Sequence, residues 1–159
     1  MKFQGRKRCK TVNHLMICDN SYNIIAISDG IGGNHHDSFE LIEQVNKLLK
    51  CMDAADIDYK NSHLNADTGF DVQDFIEHIE SEHKMIANIP NNKRNRKKIE
   101  KKTRYLNEYI YSFRFKIEVA FAWLDTYKRV LVRFEYLDSN FKSWLLLAAT
   151  LINLRNIFN

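Results

Sequence analysis

The sequence predicts an α/β fold, a mixed sheet with helices on its faces. Three observations lead there. Two short apolar runs are separated by the turn residues Asn20-Ser-Tyr-Asn23, the pattern of an antiparallel hairpin. Further short strand-like runs then alternate with stretches of helical periodicity, as in sheets covered by helices. One proline and five glycines in 159 residues leave few breakers, so the elements should be regular.

Residues 12–19 (VNHLMICD) and 24–28 (IIAIS) are the hairpin strands, and Gly30-Ile-Gly-Gly-Asn34 is a loop. Asp37 or Ser38 can cap a helix running to about Met52, with Phe39, Ile42, Val45 and Leu48 or Leu49 on one face. Residues 64–67 form a short strand before the turn Thr68-Gly69. Asp71 then caps a second helix, with Phe75, Ile76 and Ile79 inward. Residues 85–89 make another strand, closed by Pro90. A long helix spans about 106–128, where Ile110, Phe113, Ile117, Phe121 and Leu124 recur at three- and four-residue spacing. A final apolar helix covers about 141–157. No internal repeat or long linker divides the chain. One unit is expected over 1–159, made of a strand–helix part (1–90), a basic segment (91–105) and C-terminal helices (106–159).

Composition excludes several classes. A 45% hydrophobic and 28% charged chain is neither disordered nor fibrous. Three cysteines, Cys9, Cys18 and Cys51, without a CxxC spacing fit free thiols in a reducing compartment. The longest apolar run, 144–152, is too short to span a bilayer, and no apolar leader follows the basic N-terminus. The expectation is a soluble, cytoplasmic protein with no membrane partner.

The net charge of +4 hides an asymmetry. Lys93, Arg94, Arg96, Lys97, Lys98, Lys101, Lys102 and Arg104 stand against one acid, Glu100, a net +7 over twelve residues. Lys2, Arg6, Lys7, Arg8 and Lys10 form a second cluster, while acids gather between Asp37 and Glu82. Such runs repel themselves unless a polyanion or solvent screens them, so nucleic acid is the natural partner and a solvated loop the plain alternative.

Several side chains are placed where chemistry is possible. Asp67 ends a strand, and carboxylates at such ends face the crevice of α/β sheets, although Asp also opens turns everywhere. Tyr111, Arg114 and Glu118, at i, i+3 and i+7, put an aromatic, a cation and a carboxylate on one helical face. Glu118 beside an apolar stripe needs a partner or a metal, and on the residues alone a plain Arg114–Glu118 ion pair is the favoured way to meet that need. His35-His36-Asp37 suggests a metal or proton shuttle only superficially, since adjacent residues cannot all point inward, and a loop with a helix cap suits it better. Cys18 reads as a core thiol. Gly30, Gly32 and Gly33 lack the context of a phosphate loop.

Taken together, the strings resemble those of the C-terminal part of bacterial insertion-sequence transposases with a DDE site on an RNase H-like fold. They are Phe3-Gln-Gly-Arg-Lys7 with Lys10-Thr-Val-Asn13, Gly33-Asn-His-His-Asp37, Asn65-Ala-Asp-Thr-Gly-Phe-Asp71 and Asn92-Lys-Arg-Asn95. Tyr111-x2-Arg114-x3-Glu118 follows, then Phe121-Ala-Trp-Leu-Asp-Thr-Tyr-Lys-Arg129 and Arg133-Phe134. The resemblance implies DNA transposition by metal-dependent strand cleavage and strand transfer, with Asp67 as second and Glu118 as third catalytic carboxylate, both ligating Mg²⁺ or Mn²⁺. It implies Tyr111 and Arg114 as support, with Arg114 also on the DNA. Double-stranded DNA would be held by Lys93, Arg94, Arg96, Lys97, Lys98, Lys101 and Lys102, and the setting would be the nucleoid.

The resemblance also marks departures. The family's basic residue seven positions after the glutamate is Asp125 here, leaving Lys128 and Arg129 as the nearest cations. The family's first catalytic Asp lies upstream of the Gln-Gly-Arg-Lys string, and this chain opens two residues before it. The resemblance therefore implies a sheet lacking its first central strand, in a truncated copy or the downstream frame of a split gene. Partners would include an upstream frame product or a full-length transposase. Asp19, at a hairpin turn, does not stand in for the absent Asp. A non-catalytic DNA-binding fragment is the alternative reading.

Overall fold

A computed structural model describes residues 2–4, 9–33, 35, 40–92 and 104–158 of the chain. The fold is mixed α/β, as expected, but among the described residues the strands form three small sheets rather than one. Strands β1 (Lys2–Gln4), β2 (Cys9–Asn13) and β5 (Ile31–Gly32) make an antiparallel sheet in the order β1-β2-β5. β3 (Met16–Cys18) and β4 (Ile24–Ile27) form the antiparallel hairpin, and β6 (His63–Asn65) and β7 (Ile86–Asn88) pair in parallel. The single strand expected over 12–19 is divided at His14 and Leu15. There the backbone turns to Ser28: Leu15 N–H donates to Ser28 Oγ at 2.9 Å, and His14 Nδ1 meets Ser28 O at 3.0 Å.

α1 (Leu41–Ala54) packs on β4 and α2 (Gln73–Ser81) on β7. Leu41, Val45, Leu48, Leu49 and Met52 from α1 meet Phe75, Ile76 and Ile79 from α2 in a core that includes Ala26, Ala87 and Ile89. On the other side Ile24 and Ile27 pack with Ala120, Leu124, Leu145, Ala148, Ala149 and Ile152 from the C-terminal helices. A strand buried on both faces needs no polar alternation, which accounts for the unbroken run Ile-Ile-Ala-Ile. The free edge of β4 is met by a side chain. Asn153 Oδ1 accepts from Ile24 N–H and its Nδ2 donates to Ile24 O, each at 2.9 Å, so one amide imitates a neighbouring strand.

Helix boundaries differ from expectation in four places. α1 starts at Leu41 behind Glu40, which sits at φ 50°, while Asp37 and Ser38 lie outside the described residues. α2 has Val72, not Asp71, at its N-cap position. The long helix is broken into α3 (Glu108–Ser112), α4 (Phe115–Leu124) and α5 (Lys128–Leu131). Between α3 and α4 the bonds tighten to i→i−3, from Phe113 N to Ile110 O and from Arg114 N to Tyr111 O. The buried positions of α4 are Ala120 and Leu124, and Phe121 of the expected stripe is exposed. α6 (Asp138–Phe158) begins three residues earlier than expected.

α4 is held to the hairpin turn by Lys116, whose ammonium donates to Asn20 O and lies 4.4 Å from the Tyr22 ring centroid. Asp19 organises that turn, accepting from the N–H groups of Ser21 and Asn23. Cys18 beside it is half-buried, and burial, aided by the Asp19 charge, pushes its thiol up to about 11, as suits a core thiol. No helix among the described residues is long and apolar enough to cross a membrane.

Candidate active site at the ends of the parallel strands

Asp67 lies two residues beyond the end of β6. It is the N-cap of a 3₁₀ turn, Thr68–Phe70, and its Oδ1 accepts from Thr68 N–H at 2.7 Å. The turn role and the strand-end position coexist, because an exposed carboxylate has lone pairs left after one hydrogen bond.

The C-terminal helices reach this strand end through three asparagines. Asn88, buried at the end of β7, donates from Nδ2 to Asn65 Oδ1 at 2.8 Å and to Asn107 O at 3.1 Å. Its Oδ1 accepts from Asn107 N–H at 2.9 Å. Asn107 in turn caps α3, its Oδ1 accepting from Ile110 N–H at 3.1 Å, and Asn65 Nδ2 donates to Ile110 O at 2.9 Å. These bonds fasten the first turn of α3 across the ends of both parallel strands.

Tyr111, Arg114 and Glu118 follow directly from that anchor. The tightened turn does not separate them: Arg114 Nη1 lies 2.9 Å from Glu118 Oε1, and the Arg114 guanidinium carbon lies 5.9 Å from the Tyr111 ring centroid. Glu118 therefore has the plain i, i+4 partner, and both side chains remain open to solvent. Burial pushes the Tyr111 hydroxyl above its usual value, Arg114 pulls it down, and the charges of Asp67 and Glu118 both push it up. One hydroxyl thus lies within the fields of both candidate carboxylates, one from the strand end and one from α4.

The remaining candidates are dispersed. Lys128 and Arg129 are on α5, where Arg129 Nη1 binds Glu135 Oε1 at 3.1 Å and its guanidinium carbon stands 4.8 Å from the Trp144 ring centroid. Lys93, Arg94, Arg96, Lys97, Lys98, Lys101 and Lys102 lie outside the described residues, as do His36 and Asp37. Asp67 and Glu118 supply exposed hard oxygens of the kind Mg²⁺ and Mn²⁺ take. They are two donors rather than a cage: no three His, Cys, Asp or Glu side chains gather as metal ligands among the described residues.

Sequence reasoning missed the asparagines and misjudged Asp71. That carboxylate is buried, and it turns to Arg104 Nη2 at 2.6 Å and to Asn92 N–H at 2.7 Å. An asparagine inside an otherwise apolar strand run, as at Asn88, was the available signal. A buried amide must find partners.

The family model described as Transposase DDE domain matches residues 2–154. No curated protein and no solved structure matches the chain.

Proposed function

The chain belongs to the family of transposase DDE domains, and on that premise we propose that its described core acts on DNA phosphodiesters, with Asp67 and Glu118 as the reacting-site carboxylates. The observation that carries this reading is the convergence on Tyr111: the asparagine-anchored α3 brings one hydroxyl into the fields of Asp67, Arg114 and Glu118.

Asp67 and Glu118 would hold Mg²⁺ or Mn²⁺, with a further donor from outside this pair. A divalent ion bound there would supply Lewis acidity toward a water or 3′-hydroxyl and toward the leaving oxygen of a phosphodiester. The chain's own groups do the positioning. Arg114 steadies Glu118 and offers its remaining N–H donors to a phosphate. Tyr111 offers a hydroxyl that, like that of any tyrosine at neutral pH, is protonated and can donate a hydrogen bond. The cations from Lys93 to Lys102, with Lys128 and Arg129, would neutralise backbone phosphates without reading sequence. Strand cleavage and strand transfer are the reactions such a site would serve, in a nucleoid setting.

Calorimetry of Mn²⁺ binding to the full chain, with and without duplex DNA, tests the reading. Binding that Asp67→Asn and Glu118→Gln each weaken at least about tenfold, with duplex affinity preserved, supports it. Mn²⁺ binding indifferent to both substitutions overturns it and leaves DNA binding without catalysis as the function.

A further inference from the structure

Two imidazoles converge on one oxygen beside the core that α1 and α2 share. His78, in the last turn of α2, and His83, two residues beyond that helix, each place Nε2 against Asn46 Oδ1 of α1, at 2.7 and 2.8 Å. The ring centroids are 5.1 Å apart at an interplanar angle of 74°, so the rings meet edge to face. All three side chains belong to partly exposed residues, within reach of solvent. Imidazole nitrogen suits Zn²⁺, Cu²⁺ and Ni²⁺, and an amide oxygen can join it. With Zn–N bonds of about 2.0–2.1 Å, two ligands of a tetrahedral ion stand about 3.3–3.4 Å apart. The Nε2–Oδ1 separations fall only about 0.6 Å short of that edge, an adjustment within side-chain reach. Burial, and then the neighbouring His78, lower the His83 pKa, which favours the neutral ring that a metal needs. Asp53 and Glu82 pull the other way, and their charges favour a cation beside the same ring.

We propose that Asn46, His78 and His83 form a binding site for a transition-metal ion of the Zn²⁺ type. The two Nε2 atoms and Asn46 Oδ1 are its protein ligands, and water completes the coordination, since no three His, Cys, Asp or Glu side chains gather as ligands among the described residues. As it stands, each neutral ring donates to Asn46 and so carries its proton on Nε2. On binding, that proton leaves Nε2 for solvent and one is taken up at Nδ1, which frees the Nε2 lone pair for the metal with no net proton release. The ion ties α1 to the end of α2 across 32 and 37 residues of chain. A metal held by the folded chain alone stabilises it by mass action. The ligand set shares no residue with Asp67 and Glu118, so it stands or falls apart from any role on DNA.

Calorimetry of Zn²⁺ binding to the full chain, in reducing buffer at neutral pH, tests the site, with thermal melts in EDTA to establish that each variant folds. His78→Gln and His83→Gln keep an N–H donor for Asn46 but lose the imidazole lone pair. Each should weaken Zn²⁺ binding at least about tenfold, no less than the loss of an outer-shell partner costs. Asn46→Asp places a carboxylate among the ligands and should tighten binding. Zn²⁺ should also raise the melting midpoint of the parent protein more than those of the glutamine variants. A cluster that only hydrogen-bonds would change the melts in EDTA and leave Zn²⁺ affinity alone. No Zn²⁺ binding by the parent, or equal affinity in both glutamine variants, overturns the proposal. Binding that Asp67→Asn abolishes belongs at the strand end and overturns it too. If a glutamine variant melts without cooperativity, Asn46→Asp decides: tighter Zn²⁺ supports the site and unchanged affinity overturns it.

Discussion

The Asn88 side-chain amide bonds Asn107 twice, taking its N–H at 2.9 Å and giving a hydrogen bond to its carbonyl at 3.1 Å. A strand end and a helix start 19 residues apart are thereby locked in one register. Asn88→Leu would leave the Asn107 N–H and the Asn65 Oδ1 without this partner in a half-buried setting. A loss of about 1–3 kcal/mol in urea unfolding is expected.

Arg104 and Asp71 form a pair whose side chains are 20% and 1% exposed. Removing the cation alone takes the Arg104 ion pair from a buried carboxylate. Arg104→Ala should cost about 3–5 kcal/mol, more than the double variant Asp71→Asn/Arg104→Gln. Chemical denaturation of both proteins compares them directly.

Gly30 is required by space. A Cβ there would lie 2.2 Å from Asp138 Oδ2, which accepts from Gly30 N–H at 3.1 Å, and 2.4 Å from Val12 Cγ1. Gly30→Ala should therefore destabilise by about 1–3 kcal/mol, the usual range for overpacking. A thermal melt should show the lowered midpoint.

His78 and His83 both place Nε2 on Asn46 Oδ1, at 2.7 and 2.8 Å, with ring centroids 5.1 Å apart. Burial, and then the neighbouring His78, lower the His83 pKa from 6.5. The unfolded chain therefore takes up the proton first as pH falls. The stabilisation is complete above about pH 6.5 and declines as the pH drops through the lower folded value. Urea midpoints at pH 7.5 and 5.5 should show that decline, and His83→Gln should reduce it.

The hairpin, both strands of the parallel pair and the apolar faces of α1 and α2 were legible because each is written in local pattern. Val45, Leu48, Phe75 and Ile79 recur at helical spacing and are buried. The break in the long helix was not legible. The stripe Ile110, Phe113, Ile117, Phe121 and Leu124 runs across the break as if it were one helix, and neither Gly nor Pro marks the turn. Distant partners decide it instead: Asn88 at the start, Lys116 reaching Asn20, and the α6 surface that takes Ala120 and Leu124. Tyr111, Arg114 and Glu118 kept their predicted proximity through that break, since a 3₁₀ turn shifts the face without reversing it. Asp71 was misjudged because capping is a local rule, and its partner Arg104 is 33 residues away.

The amide of Asn153 closing the edge of β4 also sets a clock. It leaves the ribosome 129 residues after Ile24. At typical synthesis speeds of about 5–20 residues per second, the Ile24 end of that edge therefore waits roughly 6–26 s for its partner. During that interval the N–H and carbonyl of Ile24 are open to any extended chain nearby. Slowed translation across residues 28–153 should thus raise the aggregated fraction of newly made protein, while the finished molecule, with the amide in place, stays protected there.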